Sequence, residues 1–354
     1  MRRVFLDERP VYRPECMKLT ALKGETVSFQ AACTCTSFMK NRVKVRIESP
    51  ISDRIHVRKV ENVPAGRVCG PIVDDNYLKT ESGLYPDLLR ELVDGEVDIF
   101  PQKWRSIWID IEVTEDVKAG LYPVTVILEK DGETLARAAT EVTIYDAVLP
   151  KQKMMHTEWF YLDCLADYYH VPVFSEEHWE IITNYLKEYV KRGCNMILTP
   201  LFTPALDTAV GIERTTTQLL DVRVENGNYS FGFDRVKKWI DLCQSCGIEY
   251  FEICHLFSQW GAKYAPKVMA VVNGKEEQIF GWHTPAVGEY TKFLHSLLPQ
   301  LTEKLREWGI DKVTYFHLSD EPREEHLESY RAAKESIEGL LDGFHTFDAL
   351  SSYE

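Results

Sequence analysis

The sequence has 354 residues, 45% of them hydrophobic and 27% charged, with 19 Gly and 16 Pro, which excludes collagen-like, low-complexity and mostly disordered chains. At about 150 residues per domain this length predicts two domains. The 41 Lys+Arg against 55 Asp+Glu leave a net charge of −14, which argues against a nucleic acid or an anionic membrane surface as partner and favours a neutral or cationic ligand.

In chain order, the N-terminal MRRVFLDERPVY has no apolar run after its arginines, and no later stretch reaches the roughly 18 apolar residues of a membrane span; the expectation is a soluble, cytoplasmic protein. Residues 1–150 read as short extended runs separated by turn residues: ETVSFQAACTC, RVKVRIES, RIHVRKVENV, WRSIWIDIEVT, GLYPVTVILE and ARAATEVTIYD. WRSIWIDIEV alternates apolar and polar positions as a strand with one buried face does, and DGE between two such runs marks a hairpin. This part is predicted to be an N-terminal β-sandwich domain. The stretch from Val68 to Pro101, rich in Gly, Pro and Asp, reads as a long loop over that sandwich.

After Val148-Leu149-Pro150 the period changes and strand-like runs alternate with amphipathic helices. The apolar run Met155–Leu162 comes first, followed by a helix near Glu176–Arg192, a strand at Asn195–Thr199 and a helix near Phe233–Cys246. Then come a strand at Tyr250–Leu256, a helix near Ala286–Trp308, the strand Lys312–Leu318, a helix over Glu324–Leu341 and a last strand around His345–Leu350. Three of these helices end at a glycine, Gly193, Gly247 and Gly309. Repeated βα units build a parallel sheet, so residues 151–354 are expected to form a TIM-like (β/α)8 barrel domain, stopping after about five of eight strands. An open doubly wound sheet is the alternative. A barrel cut at FDALSSYE leaves an apolar edge, so the natural product is expected to be longer.

The nine cysteines (16, 33, 35, 69, 164, 194, 243, 246 and 254) are odd in number and scattered through apolar contexts, which reads as buried thiols. Cys243 and Cys246 form a CxxC inside a helical pattern with no second pair, so neither zinc nor redox work is assigned to them.

Working residues of a barrel lie where its strands end. The exits offer His156, Glu158, Trp159, Tyr161 and Asp163, then Thr199 and Phe202, then His255, Gln259 and Trp260, and finally His317, Ser319, Asp320, Glu321 and Pro322. Adjacent carboxylates raise one another's pKa, which suits a general acid, and Pro322 fixes a bend that lets both reach one pocket. The alternative is that Asp320-Glu321-Pro322 caps the next helix.

His317-Leu318-Ser319-Asp320-Glu321-Pro322, with Phe280-Gly281-Trp282 and a helix ending Glu307-Trp308-Gly309 before it, resembles the catalytic domain of glycoside hydrolase family 123. That resemblance covers nearly the whole chain and implies a β-sandwich followed by a (β/α)8 barrel. It implies a retaining, exo-acting β-N-acetylgalactosaminidase that works by substrate assistance, the 2-acetamido oxygen attacking the anomeric carbon to give an oxazoline. Asp320 would then orient the acetamido N–H, and Glu321 would serve as acid and then base. The partner implied is a glycan with a terminal N-acetylhexosamine; no cofactor and no metal are needed.

Sugar rings present C–H faces that stack on aromatic rings, so Trp159, Tyr161, Trp260 and Trp282, with His156, Glu158, His255 and His317 as hydrogen-bonding groups, are the candidate substrate contacts. The three histidines could instead be ligands of a metal-dependent hydrolase. A non-catalytic carbohydrate-binding protein is the remaining alternative.

Overall fold

The structure is a computed structural model that describes residues 3–10, 18–38, 42–66, 77–206, 208–209 and 211–349. Cys16, Cys69, the start of the Val68–Pro101 segment and Leu350 lie outside the described residues. The chain divides into two compact units, Met1–Lys151 and Gln152–Glu354.

The first unit is built of strands β1 (Lys18–Lys23), β2 (Thr26–Cys33), β3 (Val43–Glu48), β4 (Ile55–Ala65), β5 (Gly83–Glu91), β6 (Glu96–Val97), β7 (Arg105–Glu112), β8 (Gly120–Lys130) and β9 (Glu133–Val148). They form two sheets, ordered β1-β9-β8-β3-β6 and β2-β7-β4-β5. The alternation in WRSIWIDIEV decides how the sheets face. Ile107, Ile109 and Ile111 of β7 are fully buried and pack with Val124, Val126, Leu128 and Val142 of the other sheet. The DGE turn joins β8 to β9 through Asp131 (φ +51°) and Gly132 (φ +84°), a two-residue hairpin loop with left-handed backbone.

The expected long loop over Val68–Pro101 is corrected by β5 and β6. Strand β5 escapes a reading by hydrophobic alternation because it is an edge strand: most of its side chains are exposed, and it carries Pro86 where no neighbour needs the missing N–H.

The second unit runs α1 (Leu162–Tyr169), α2 (Glu176–Lys191), β10 (Met196–Thr199), β11 (Asp221–Glu225), β12 (Asn228–Gly232), α3 (Asp234–Cys246), β13 (Tyr250–Ile253), β14 (Val268–Val272), β15 (Lys275–Phe280), α4 (Glu289–Glu307), β16 (Thr314–His317), α5 (Leu327–Glu335) and β17 (His345–Phe347). Strands β10, β13, β16 and β17 make an all-parallel sheet in that order. On the β10 side, Thr157 adds an isolated parallel bridge to Met196, so the run Met155–Leu162 contributes a bridge rather than the expected strand, and its end turns into α1.

The order of these strands across the sheet follows their order in the chain, with β11–β12 and β14–β15 intervening in sequence. Among the described residues the sheet does not close. The second four-stranded sheet, β12-β11-β14-β15, has no counterpart among the elements expected from the sequence. Its two hairpins turn at Asn226-Gly227 and Asn273-Gly274, all four residues left-handed, and are excursions between a strand of the parallel sheet and the helix that follows it, β10 to α3 and β13 to α4.

The predicted helix over Glu324–Leu341 is shorter, a 3-10 turn at Glu324–His326 leading into α5. Helices α2, α3 and α4 press their apolar stripes onto the parallel sheet, burying Ile182, Leu186, Trp239, Phe293, Leu297 and Leu301 in one core with Ile197, Phe251, Ile253 and Phe316. Among the described residues no helix is long and apolar enough to cross a membrane.

Candidate active site

The parallel strands β10, β13 and β16 are buried on both faces, so a charged side chain among them must be paired where it sits. Glu252 of β13 is such a group, with 0% exposure. Its Oε2 accepts from Thr157 Oγ1 at 2.9 Å, and its Oε1 accepts from Trp159 Nε1 at 2.8 Å and meets His317 Nε2 at 2.5 Å. Register explains the meeting. Glu252 lies opposite Tyr315 on β16, and His317, two residues on, shares the same face.

The other ring nitrogen of His317, Nδ1, lies 3.4 Å from Asp348 Oδ1, just past β17. Asp348 also accepts the backbone N–H groups of Leu318 (3.0 Å) and Ser319 (3.2 Å), while Tyr330 of α5 donates its hydroxyl to Oδ2. Burial alone would lower the pKa of His317, but hydrogen bonds and charge from Asp348 and Glu252 outweigh it and raise the ring to about 8. His255 stacks on His317 with ring centroids 4.1 Å apart, and Trp159 stands edge-on to both. Burial, and then the neighbouring His317, push the pKa of His255 well below its ordinary value, and among the described residues neither of its ring nitrogens has a hydrogen-bond partner.

Beyond this cluster the exit of β13 is laced to the exit of β16. Leu256 and Phe257 donate to the carbonyls of His317 and Leu318, Ser319 Oγ donates to the Ser258 carbonyl at 2.8 Å, and the Trp260 N–H donates to the Asp320 carbonyl at 2.9 Å. The turn that allows this is left-handed at Trp260, Gly261 and Ala262. Gly261 also approaches the α5 side closely, where a Cβ would come within 2.9 Å of His326 Cβ. Asp320 is buried, Glu321 is half-buried, and Glu321 has φ +45°. Such a backbone costs a non-glycine residue about 1–3 kcal/mol and recurs at functional sites. It also ends the strict alternation that would send Asp320 and Glu321 to opposite faces. The helix-capping alternative is not what forms: the cap of the following 3-10 turn is Arg323, and neither carboxylate occupies its first turn.

The remaining candidates are divided. Trp159 and His317, expected as sugar contacts, instead have their polar atoms committed to Glu252 and Asp348. His156 and Glu158 alternate with Thr157 and Trp159 and so leave this cluster: His156 Nε2 meets Glu158 Oε1 at 3.2 Å, His156 Nδ1 lies 3.8 Å from Cys194 Sγ, and the Glu158 backbone bonds the Tyr189 hydroxyl. Tyr161 lies under the Arg214 guanidinium at 4.0 Å, and Arg214 clasps buried Asp163 through two hydrogen bonds of 2.7 and 3.0 Å. Arg214 lines a cleft with Trp282, Thr203, Lys267 and Gln278, which neither Asp320 nor Glu321 lines. Trp260 is about half exposed beside Asp320.

Of the three histidines proposed as metal ligands, His255 and His317 stack on each other while His156 is engaged with Glu158 and Cys194, and among the described residues no three His, Cys, Asp or Glu side chains form a metal-ligand set. In the CxxC, burial raises the Cys243 thiol well above its ordinary pKa, the condition of an unreactive core thiol. Sequence reasoning missed Glu252, Asp348, Tyr330 and Arg214. Only Glu252 carried a signal, a carboxylate inside the apolar run Tyr250–Leu256, which a buried strand cannot hold unpaired.

The sequence model of the glycoside hydrolase 123 catalytic domain matches residues 159–354, and that of the glycoside hydrolase 123 N-terminal domain matches residues 7–130. Among solved structures, a family 123 glycoside hydrolase from Clostridium perfringens, described in work on glycolipid glycan hydrolysis, aligns at TM-score 0.70 with 19% identity. The match takes in 94% of this chain and 59% of that one, so the chain spans well under two thirds of that relative's length. A second structure, from Bacteroides vulgatus ATCC 8482, covers 95% of this chain and 57% of its own at TM-score 0.32 and 11% identity. No curated protein sequence matches. With both of its parts matched by the family's two domains, and Asp320-Glu321 closing a parallel strand within the catalytic one, the chain belongs to glycoside hydrolase family 123.

Proposed function

We propose that the protein is a retaining glycoside hydrolase that releases a terminal β-linked N-acetylhexosamine, with N-acetylgalactosamine as the preferred sugar, by substrate assistance. The observation that carries this reading is the consecutive pair Asp320-Glu321 at the exit of β16, Asp320 buried and Glu321 half-buried on a left-handed backbone. With the nucleophile supplied by the substrate, no second enzymic carboxylate is required at the separation of about 5–5.5 Å found in ordinary retaining enzymes.

Asp320 holds the acetamido N–H and stabilises the positive charge that grows on its nitrogen. The acetamido oxygen attacks the anomeric carbon, the glycosidic C–O bond breaks, and Glu321 gives its proton to the departing oxygen. Glu321 then takes a proton from water, which adds at the anomeric carbon and reopens the ring. Half-exposed Trp260, held against Asp320, is the aromatic face for the sugar. The glycolipid glycan hydrolysis described for the Clostridium relative makes a glycolipid glycan the first natural substrate to try.

The test is hydrolysis of p-nitrophenyl β-N-acetylgalactosaminide, its N-acetylglucosaminide epimer, and an analogue with 2-hydroxyl in place of the acetamido group. The acetamido sugars are expected to turn over and the analogue to be nearly inert; equal rates on the analogue overturn substrate assistance. Glu321→Gln is expected to slow a natural glycoside about 10²–10⁴-fold, and an effect below about tenfold rules it out as general acid. Asp320→Asn is expected to impair even the activated nitrophenyl substrates, because ring closure accompanies departure of any leaving group. EDTA is expected to leave the rate unchanged; loss of activity restored by zinc would move the assignment to a metal-dependent hydrolase.

A further inference from the structure

We propose that Asp348 is a positioning residue for the Asp320-Glu321 pair, and that His317 keeps it in place only while both ring nitrogens are protonated. This rests on the reading of Asp320 and Glu321 as the catalytic pair. Asp348 is the acceptor for the N–H groups of Leu318 and Ser319, the two residues that lead directly into Asp320. The same oxygen, Oδ1, faces His317 Nδ1, while His317 Nε2 is held at 2.5 Å by Glu252.

Two carboxylates on the two nitrogens of one imidazole can both be donated to only by the imidazolium. A neutral ring keeps its remaining proton on the shorter contact to Glu252 and turns a lone pair toward Asp348 Oδ1. That contact then becomes repulsive, and the acceptor that anchors residues 318 and 319 is pushed away from them. The groups facing His317 are Glu252 from β13, Asp348 past β17 and the His255 ring past β13, with the Tyr330 hydroxyl of α5 behind Asp348 and the uncharged rings of Trp159 and Phe347 closing the sides. The pKa of about 8 for His317 agrees with this geometry and places the loss on the alkaline side.

Two readouts test the proposal on the whole protein. Proton NMR of the His317 ring gives its titration midpoint without turnover, and kcat/KM on p-nitrophenyl β-N-acetylgalactosaminide, whose leaving group needs little help from Glu321, gives the alkaline limb. In the wild type the two are expected to coincide, with about a tenfold fall between pH 7 and 9. Asp348→Asn keeps an oxygen for the two backbone N–H groups but removes a charge, so midpoint and limb are both expected to move about one unit lower. Tyr330→Phe leaves Asp348 charged with one donor fewer and is expected to move both upward. A limb that does not follow the His317 midpoint in these proteins overturns the inference and leaves the catalytic reading standing. If no hexosaminide is hydrolysed at any pH, the catalytic reading fails, and the backbone amide signals of Ser319 to Glu321 decide the rest. They are expected to shift with the His317 midpoint, and constancy through that titration overturns the inference.

Discussion

Two buried carboxylates, Asp110 on β7 of the first unit and Glu252 on β13 of the second, are each met by a tryptophan N–H, a hydroxyl and a cation. Asp110 takes the indole of Trp108 at 2.7 Å, the hydroxyl of Ser28 at 2.5 Å and the guanidinium of Arg58. Glu252 takes the indole of Trp159, the hydroxyl of Thr157 and the imidazole of His317. The donor sets are almost the same; the cations are not. Arg58 is charged at every working pH and also reaches Glu91 at the edge of its sheet, so its pair is a fixed tie between strands. His317 is sealed inside, shared with a second carboxylate and able to lose its charge near neutrality, so the same device becomes conditional. Only the conditional one stands at a strand exit, two residues from Ser319 and three from Asp320.

The sharpest way to break this comparison is to neutralise each carboxylate. Glu252→Gln leaves the His317 cation buried with a poorer partner and sets an amide N–H₂ against donors, and losing one partner of a buried pair costs about 3–5 kcal/mol. Asp110→Asn leaves Arg58 with Glu91 and access to water, so about 1–3 kcal/mol is expected. Heat or urea unfolding with each variant checks the order, and equal costs would mean that the imidazole pair is no more enclosed than the guanidinium one.

The next effect is a difference in pH response. His317 has a folded pKa near 8 against an ordinary 6.5, so its contribution is fully present below about pH 6.5 and is lost as pH rises through 8. A shift of that size corresponds to about 2 kcal/mol. His255, held well below 6.5 by burial, works the other way: as pH falls below 6.5 the unfolded chain takes up a proton that the folded ring refuses. The second unit is therefore expected to be most stable near pH 6.5 and to weaken on both sides, while the Arg58 guanidinium keeps its charge throughout. Thermal unfolding across pH 5 to 9, with and without His317→Gln, checks this. An alkaline loss that survives the substitution would assign it elsewhere.

The same contrast explains what the sequence makes legible. Alternation in Arg105–Glu112 and the Asp131-Gly132 turn are local signals, and both elements are where such signals put them. Glycines past α2, α3 and α4 end those helices with φ of +91°, +104° and +69°. Strand β5 is illegible because an exposed edge needs no apolar period, and α1 because its eight residues follow an apolar run that reads as strand. At the candidate site, Asp320 and Glu321 stand out as neighbours in the chain. Glu252, His317 and Asp348 lie 65 and 31 residues apart in sequence and meet only because β13, β16 and β17 are adjacent in register. No local pattern encodes that adjacency.

The smallest expected effect tests whether the two units use one turn chemistry. Gly132 closes the β8–β9 hairpin of the first unit at φ +84°, and Gly274 closes the β14–β15 hairpin of the second at φ +86°. A Cβ built on either meets nothing within 4 Å, so alanine there disturbs only the backbone. The left-handed conformation costs an alanine about 1 kcal/mol, and the cost is expected to be the same for Gly132→Ala and Gly274→Ala. Both hairpins carry Asp or Asn at the preceding position, Asp131 and Asn273, residues that tolerate positive φ, so no compensating change is available at the turn. Paired unfolding measurements on the two variants check this. A cost several times larger for Gly274→Ala would show that the β14–β15 excursion is under a tertiary constraint that the free space around its turn does not reveal, and would set the second unit apart in its hairpins as well as in its buried charges.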